Sequence, residues 1–245
     1  MTKEINNILV LGDSLSKGVV LNEQRLKYYF ENDCFVNRVQ QSIRPSLFNA
    51  SKFGSTVTLG RQTLEKNLEK HNPDVVFIEF GGNDCDYAWD EIAKNPFYDH
   101  IPNTPLNEFE KILHEMIDAV LDAHALPVLM TLPPLNALNY FKWFTKGDTE
   151  KGVNILKWLD DVWRIYWWQE RYSSAVKTIA EERSAYCIDI RQAFLKKIDF
   201  RKFVCLDGIH PNILGHELIA SEILKYIANR AKDLLSIPEV LPALT

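Results

Sequence analysis

The first apolar run of the chain is Ile8-Leu9-Val10-Leu11, and Gly12-Asp13-Ser14 follow it directly. A nearly continuous apolar run of this length is typical of a strand that is buried on both faces, as in a parallel sheet covered by helices. Glycine commonly ends such a strand, and the residues after it can begin a helix. The sequence therefore predicts that Ser14 lies at the carboxyl end of a buried strand.

Apolar runs and amphipathic stretches alternate along the rest of the chain. Apolar runs predict three further strands, at residues 75–80, 128–132 and 185–190, and residues 46–50 are a shorter candidate. Apolar residues recur at steps of three and four, the pattern of amphipathic helices, over 109–120, 155–166 and 218–227. Trp158 and Trp163 lie on the apolar stripe of the second of these helices, and we expect both in the core. This alternation predicts an α/β fold with a parallel sheet covered on both faces.

Two aromatic-rich insertions follow predicted strands, at about 85–107 and 133–172. Ligands bind beside the carboxyl ends of strands in open α/β sheets, so both insertions are candidates for pocket walls. Amphipathic rings suit stacking on sugar faces. The candidate rings are Tyr87, Trp89, Tyr140 and Trp143. No repeat, low-complexity tract or linker divides the chain, and we expect a single domain over residues 1–245.

Three short polar segments that lie far apart in the chain are chemically complementary. They are Gly12-Asp13-Ser14-Leu15-Ser16, Gly81-Gly82-Asn83-Asp84 and Asp207-Gly208-Ile209-His210. Acyl transfer needs a nucleophile, a base, a group that orients the base and an oxyanion donor, and these segments supply all four. Each segment alone has a simpler interpretation as a helix cap or a turn. Their occurrence together favours a hydrolase.

With Gly54 in the loop after the second predicted strand, these segments resemble the four sequence blocks of the SGNH hydrolases, also called GDSL esterases and lipases. The blocks occur in the family's order and span residues 12–211. The resemblance implies a flavodoxin-like, three-layer α/β/α domain with five parallel strands in the order 2-1-3-4-5. It also implies that Ser14 is the nucleophile, His210 the base and Asp207 its orienting partner. The backbone N–H groups of Ser14 and Gly54 and the Asn83 side chain would form the oxyanion hole.

The predicted activity is hydrolysis of carboxylic esters through an acyl-enzyme, without a metal or organic cofactor. The favoured substrate is a short-acyl ester, with acetylated carbohydrate as one candidate. Substrate contacts are expected from Asp13, Tyr87, Trp89, Tyr140 and Trp143. A thioesterase or a lysophospholipase could use the same groups. Two alternatives outside this class are a non-catalytic carbohydrate-binding protein and a flavodoxin-like protein in which residues 12–16 cradle a phosphate.

The composition of the chain excludes some classes of binding partner. A net charge of −5 over 245 residues gives no basic surface for nucleic acid, and no Lys/Arg cluster favours a membrane surface. No apolar run approaches the length of a membrane span. The spacing of the four cysteines fits neither a metal site nor a disulfide framework, which is typical of free thiols in a reducing compartment. We therefore expect a cytoplasmic protein; the sequence leaves its oligomeric state open.

Overall fold

The computed structural model describes residues 5–234, and a five-stranded parallel sheet lies at its centre. The seven strands are β1 (Asn7–Gly12), β2 (Val19–Asn22), β3 (Lys27–Phe30), β4 (Ser46–Asn49), β5 (Val75–Glu79), β6 (Leu126–Met130) and β7 (Tyr186–Ile188). The central sheet has the order β4-β1-β5-β6-β7, while β2 and β3 form a separate antiparallel hairpin. The five predicted strands and their order 2-1-3-4-5 are confirmed.

Helices cover both faces of this sheet. They are α1 (Ser14–Lys17), α2 (Phe35–Ser42), α3 (Val57–His71), α4 (Trp89–Lys94), α5 (Leu106–Asp122), α6 (Ala137–Thr145), α7 (Thr149–Leu159), α8 (Trp163–Glu182), α9 (Ile190–Leu195) and α10 (Ile213–Leu234). One apolar core joins the sheet to α3, α5 and α8, and a second joins it to α2, α9 and α10. The fold is therefore the expected three-layer α/β/α arrangement. Within residues 5–234, no helix combines the length and apolar character needed to cross a membrane.

The first strand shows why one apolar run can supply both cores. Successive side chains of a strand point to opposite faces of the sheet. Leu9 and Leu11 accordingly pack in the core with α3, and Ile8 and Val10 pack in the core with α10. Burying each such side chain contributes about 1.5–3 kcal/mol. An alternating strand would leave one face polar, so the continuous run is what fixes β1 inside the sheet.

The two insertions form a third apolar cluster beside the strand ends. They fold largely into α4, α6, α7 and the first turns of α8 rather than into extended loops. The buried members of this cluster are Trp89, Ile92, Leu135, Ala137, Tyr140, Ile155, Leu159 and Ile165. The insertions thus have a packed interior of their own. That the whole chain is one domain, with these insertion bounds, stays a prediction.

The predicted continuous helix over 155–166 is wrong, because two helices meet there. Helix α7 ends at Leu159, and Asp160 takes a left-handed φ of +65° before α8 begins at Trp163. The break changes the direction of the chain, so a three- and four-residue spacing no longer marks one face across it. Trp163 is 48% exposed as a result, contrary to the core position expected for it.

Candidate active site

The turn after β1 sets the position of Ser14. A Cβ atom on Gly12 would lie 2.8 Å from Glu79 Oε2 and 2.9 Å from the Glu79 carbonyl oxygen, so only glycine fits between β1 and β5 at this point. Asp13 then caps α1, its Oδ1 accepting a hydrogen bond of 2.8 Å from the Leu15 N–H. Ser14 is the first residue of α1, and its side chain is buried at the floor of a depression beside the sheet edge.

His210 and Asp207 lie in the loop before α10 and form a hydrogen-bonded chain with Ser14. His210 Nε2 lies 3.0 Å from Ser14 Oγ, and His210 Nδ1 lies 2.7 Å from Asp207 Oδ2. Asp207 Oδ1 accepts backbone N–H groups from Ile209 at 3.0 Å and from His210 at 3.1 Å. The turn depends on Gly208, whose φ is +82°. Asp207 and His210 thus lie in one loop that reaches across the sheet edge to Ser14.

The protonation of this chain follows from its surroundings. Burial by itself raises the pKa of Asp207, but the hydrogen bond and charge of His210, together with two backbone N–H groups, bring that pKa below its ordinary value. An ionised Asp207 holds a proton on His210 Nδ1. His210 Nε2 is then an acceptor that faces the Ser14 hydroxyl. This is the arrangement in which an imidazole can take a proton from serine.

The loop of Gly208 is also fixed to the second insertion. The Asn136 N–H donates a hydrogen bond of 2.7 Å to the Gly208 carbonyl oxygen. A Cβ atom on Gly208 would lie 2.5 Å from the Asn136 carbonyl oxygen and 2.6 Å from the Tyr140 backbone nitrogen. Glycine at this position therefore permits both the left-handed turn and the close approach to the start of α6.

Three residues with candidate N–H donors line the groove in front of Ser14. They are Ser14 and Gly54, whose donors are backbone N–H groups, and Asn83, whose donor is its side-chain amide. Asn83 Nδ2 donates to Asp13 Oδ2 at 3.0 Å and to the Ser55 carbonyl oxygen at 3.1 Å. Among residues 5–234, no group accepts a hydrogen bond from the N–H of Ser14 or Gly54. Two of the donors are thus available, and the third is held in place by Asp13.

Two buried carboxyl groups lie beneath the turn that carries Ser14. Glu79 Oε2 accepts the Ser16 hydroxyl at 2.8 Å and is 3.4 Å from the Asp13 nitrogen. Burial raises the pKa of Asp13 to about 6. Burial, and then the nearby charge of Asp13, raise the pKa of Glu79 well above its ordinary value. Burial thus disfavours two negative charges in this pair, and the Asp13 carboxyl group is the one that accepts the Asn83 amide.

The aromatic candidates of the first insertion are fixed by packing around Asp86. Trp89 is buried, stacks on Phe144 with ring centroids 4.3 Å apart, and donates its Nε1–H to Asp86 at 2.8 Å. Tyr140 donates its hydroxyl to the same carboxyl group at 2.7 Å. Tyr87 is half-buried within this cluster. These rings border the depression at Ser14 but are held mainly by one another.

Sequence reasoning did not identify Tyr28 and Phe53, which contact His210. The Tyr28 ring lies edge-on to the imidazole at 4.8 Å, and the Phe53 ring stacks on it at 6.3 Å. Trp143, which was among the candidates, packs edge-on to Tyr28 at 5.9 Å. Tyr28 belongs to the hairpin of β2 and β3. An apolar run and an aromatic run on either side of a short polar stretch, residues 19–30, are the signal that predicts such a hairpin.

Two spaces of very different size meet at Ser14 and His210. One is an enclosed cavity of about 60 Å³ whose apolar wall includes Leu132, Leu135, Ile165 and Trp168. The other is an open groove of about 660 Å³ that runs past Tyr28, Phe53 and Trp143. Asp13 borders only the enclosed cavity, whereas Trp89 and Tyr140 border both. A molecule with one small and one large part would fit this pair of spaces.

A cysteine nucleophile and a metal site have less support here than a serine nucleophile. Burial raises the pKa of Cys205 to about 12 and that of Cys85 well above its ordinary value, so both stay protonated thiols. A protonated thiol is a poor nucleophile. Within residues 5–234, no three His, Cys, Asp or Glu side chains are grouped to hold a metal ion. Ser14 is the nucleophile candidate with a base in contact.

This fold and this site define a class of three-layer α/β proteins in which a serine at the end of the first strand contacts a histidine near the last helix. The family model described as the GDSL-like lipase/acylhydrolase family matches residues 10–218. The chain therefore belongs to that family, which confirms the resemblance expected from the four segments.

Two plant relatives share less than a quarter of their aligned residues with this chain. The chain is 23% identical to the GDSL esterase/lipase WDL1 of Oryza sativa subsp. japonica over 70% of its own length and 61% of the relative. It is 24% identical to the GDSL esterase/lipase CPRD49 of Arabidopsis thaliana over 63% of its length and 54% of the relative. The chain thus spans little more than half of these plant proteins.

Solved structures share the fold over nearly the whole chain. A lipase/acylhydrolase from Enterococcus faecalis is 20% identical, with a TM-score of 0.68, and the match covers 98% of this chain and 100% of the other. Axe2, an acetylxylan esterase from Geobacillus stearothermophilus, is 21% identical, with a TM-score of 0.60 over 93% of this chain and 96% of the other. At these identities the likeness is one of fold.

Proposed function

We propose that this protein hydrolyses carboxylic esters of short acyl groups through an acyl-enzyme on Ser14. The observation that carries the proposal is the hydrogen-bonded chain from Ser14 Oγ through His210 to the buried carboxylate of Asp207. A hydroxyl, an imidazole and a carboxylate at these distances match the requirements of serine-based acyl transfer. Membership of the GDSL-like lipase/acylhydrolase family supports the same chemistry.

The proposed reaction has two halves. Ser14 Oγ attacks the acyl carbon while His210 Nε2 takes its proton, and Asp207 stabilises the imidazolium. His210 then gives the proton to the leaving alcohol oxygen, which leaves the acyl group on Ser14. In the second half, His210 deprotonates a water molecule that attacks the acyl-enzyme. The acid departs, and Ser14 recovers its proton.

The negative charge on the carbonyl oxygen needs preorganised donors. The N–H groups of Ser14 and Gly54 are available without breaking any bond. Asn83 contributes when the oxyanion replaces the Ser55 carbonyl oxygen as acceptor for one of its amide hydrogens, while Asp13 keeps the other. Asp13 thereby acts as a positioning residue for Asn83.

The enclosed cavity of about 60 Å³ is assigned to the acyl group. A methylene contributes about 0.8 kcal/mol only when it is buried. The walls formed by Leu135, Ile165 and Trp168 leave space for an acetyl or slightly larger group, and additional methylenes would remain outside. This volume favours a short-acyl esterase over a lysophospholipase.

The test is a series of p-nitrophenyl esters from acetyl to decanoyl, measured on wild type and Ser14→Ala. We expect kcat/KM to be highest for acetyl to butyryl esters and to be lost in Ser14→Ala. A fluorophosphonate should label Ser14, and Ser174→Ala, which removes a hydroxyl outside the site, is the matched control. A profile that rises to decanoyl would favour a lipase. Acyl-thioesters cleaved far better than oxygen esters would indicate a thioesterase, and no turnover with no labelling would refute a hydrolase.

A further inference from the structure

The groove in front of Ser14 is a candidate binding site for the alcohol part of the ester. If the 60 Å³ cavity takes the acyl group, the alcohol part of the ester lies in the groove of about 660 Å³. The leaving oxygen must also reach His210 Nε2. Tyr28 and Phe53 line this groove and pack on the His210 imidazole, so an alcohol seated against them lies beside the proton donor.

One wall of the groove is a continuous aromatic patch. The Tyr28 ring contacts Phe53 at 5.8 Å and Trp143 at 5.9 Å, measured between ring centroids. Phe53 is 53% exposed although it lies next to the proposed oxyanion donor Gly54. Covering an exposed aromatic ring costs little free energy, and the ring offers a flat apolar surface to a ligand.

The groove is also lined by charged side chains whose charges balance. Asp90, Glu91, Lys146 and Lys151 line it, and Lys151 Nζ bonds Asp90 at 2.7 Å. Two acids and two bases give no net positive field for a phosphorylated alcohol. A fatty alcohol would lay its alkyl chain against these charged side chains, where no continuous apolar surface is available to bury its methylenes. An alcohol with one flat apolar face and several hydroxyl groups suits both the aromatic patch and these charged side chains.

We infer that this groove is a carbohydrate subsite in which the exposed Phe53 ring stacks on the sugar ring of an acylated saccharide, while the tilted rings of Tyr28 and Trp143 contact its edge. The inference rests on the proposed ester hydrolysis and adds the class of the alcohol to it. It also separates three of the aromatic candidates. Trp143 belongs to the sugar platform, whereas Trp89 and Tyr140 are structural rings held by Asp86.

The experiment compares two acetyl esters in a pH-stat: methyl β-glucopyranoside tetraacetate and ethyl acetate, whose alcohol is too small to reach the aromatic patch. We expect Phe53→Ala to lower the ratio of kcat/KM for the sugar ester to that for ethyl acetate by roughly tenfold, the usual scale for losing one aromatic stacking contact. Trp143→Ala should act in the same direction. Phe97→Ala, which removes a ring that is 83% exposed and outside the groove, should leave both substrates unchanged.

Failure of this inference is distinguishable from failure of ester hydrolysis. If ethyl acetate is cleaved but the ratio is unchanged in Phe53→Ala and Trp143→Ala, the carbohydrate subsite is refuted while the hydrolase stands. If ethyl acetate is not cleaved, saturation-transfer NMR of the sugar ester on Ser14→Ala decides by binding alone. Ring-proton contacts that disappear when Phe53→Ala is added support the subsite, and an absence of contacts refutes it.

Discussion

On one side of Ser14, Asp207, His210 and Asn83 are held by hydrogen bonds between 2.7 and 3.1 Å in length. On the other side, Leu135, Ile165 and their neighbours are held by packing in the third apolar cluster. A hydrogen bond fixes both the type and the direction of its partner, whereas packing fixes mainly volume. Substitutions on the polar side should therefore nearly always abolish activity. Substitutions in the apolar wall should often preserve activity but change which acyl groups are accepted.

The largest effect is expected from Asp207→Asn. An amide cannot stabilise the imidazolium and favours the wrong tautomer of His210, so kcat should fall by about 10⁴-fold. Steady-state kinetics on p-nitrophenyl acetate measure this, with a melting curve to confirm folding. Asp199→Asn, which removes a carboxylate that pairs with Arg201 away from the site, is the matched control. A loss below tenfold would place Asp207 outside the reaction.

Asn83→Ala should lower kcat by roughly 10²–10³-fold, the usual loss for one oxyanion donor. The loss should appear in kcat more than in KM because the amide acts on the transition state. The same kinetic assay separates the two constants. A change under threefold would mean that Asn83 only shapes the turn after β5.

Glu79 tests whether buried polar groups beneath the turn matter by hydrogen bonding or by charge. Glu79→Ala should lower kcat by about tenfold, because Ser16 and the Asp13 N–H lose a buried acceptor. Glu79→Gln should stay within about threefold of wild type, because the raised pKa of Glu79 favours its neutral form and an amide keeps the same buried acceptor. Equal damage from both variants would show that its charge is required.

Glu79 also gives a pH dependence of stability with a definite sign. Its pKa is raised in the folded chain from an ordinary value of 4.5, so the folded state keeps a proton that the unfolded state releases. Stability from this group is complete at low pH and declines as pH rises above about 4.5. Melting temperatures between pH 4.5 and pH 8 should therefore fall more steeply for wild type than for Glu79→Gln. Parallel curves would contradict the raised pKa.

The smallest effect on acetyl transfer is expected on the apolar side. Ile165→Ala enlarges the acyl cavity, so kcat/KM for butyryl esters should rise a few-fold relative to acetyl esters, at a stability cost of about 2–5 kcal/mol. The p-nitrophenyl ester series measures the ratio. Val153→Ala removes a half-exposed side chain from α7 and is the control. An unchanged ratio would mean that the cavity does not hold the acyl group.

The sequence predicts the centre of the sheet well because β1, β5 and β6 are nearly continuous apolar runs, as a strand buried on both faces requires. The edge strands β4 and β7 are shorter and less buried, so their patterns are weaker. The contacts of Ser14, His210 and Asp207 were anticipated because their residue types are rare in combination. The hairpin was missed because its turn has no glycine: Leu26 adopts a φ of +51° instead. The break at Asp160 was missed for the same reason, since no Gly or Pro marks it. Contacts made by Phe53 depend on tertiary packing, which no local pattern encodes.

The close approach of Gly208 to Asn136 has a consequence for how such enzymes can be re-engineered. Exchanging the second insertion for that of another family member would replace not only a pocket wall but also the support of the loop that carries Asp207 and His210. A chimera that keeps glycine at position 208 and the 2.7 Å bond from the Asn136 N–H transfers the wall together with its support. The second insertion and the loop that carries Asp207 and His210 should therefore be exchanged together.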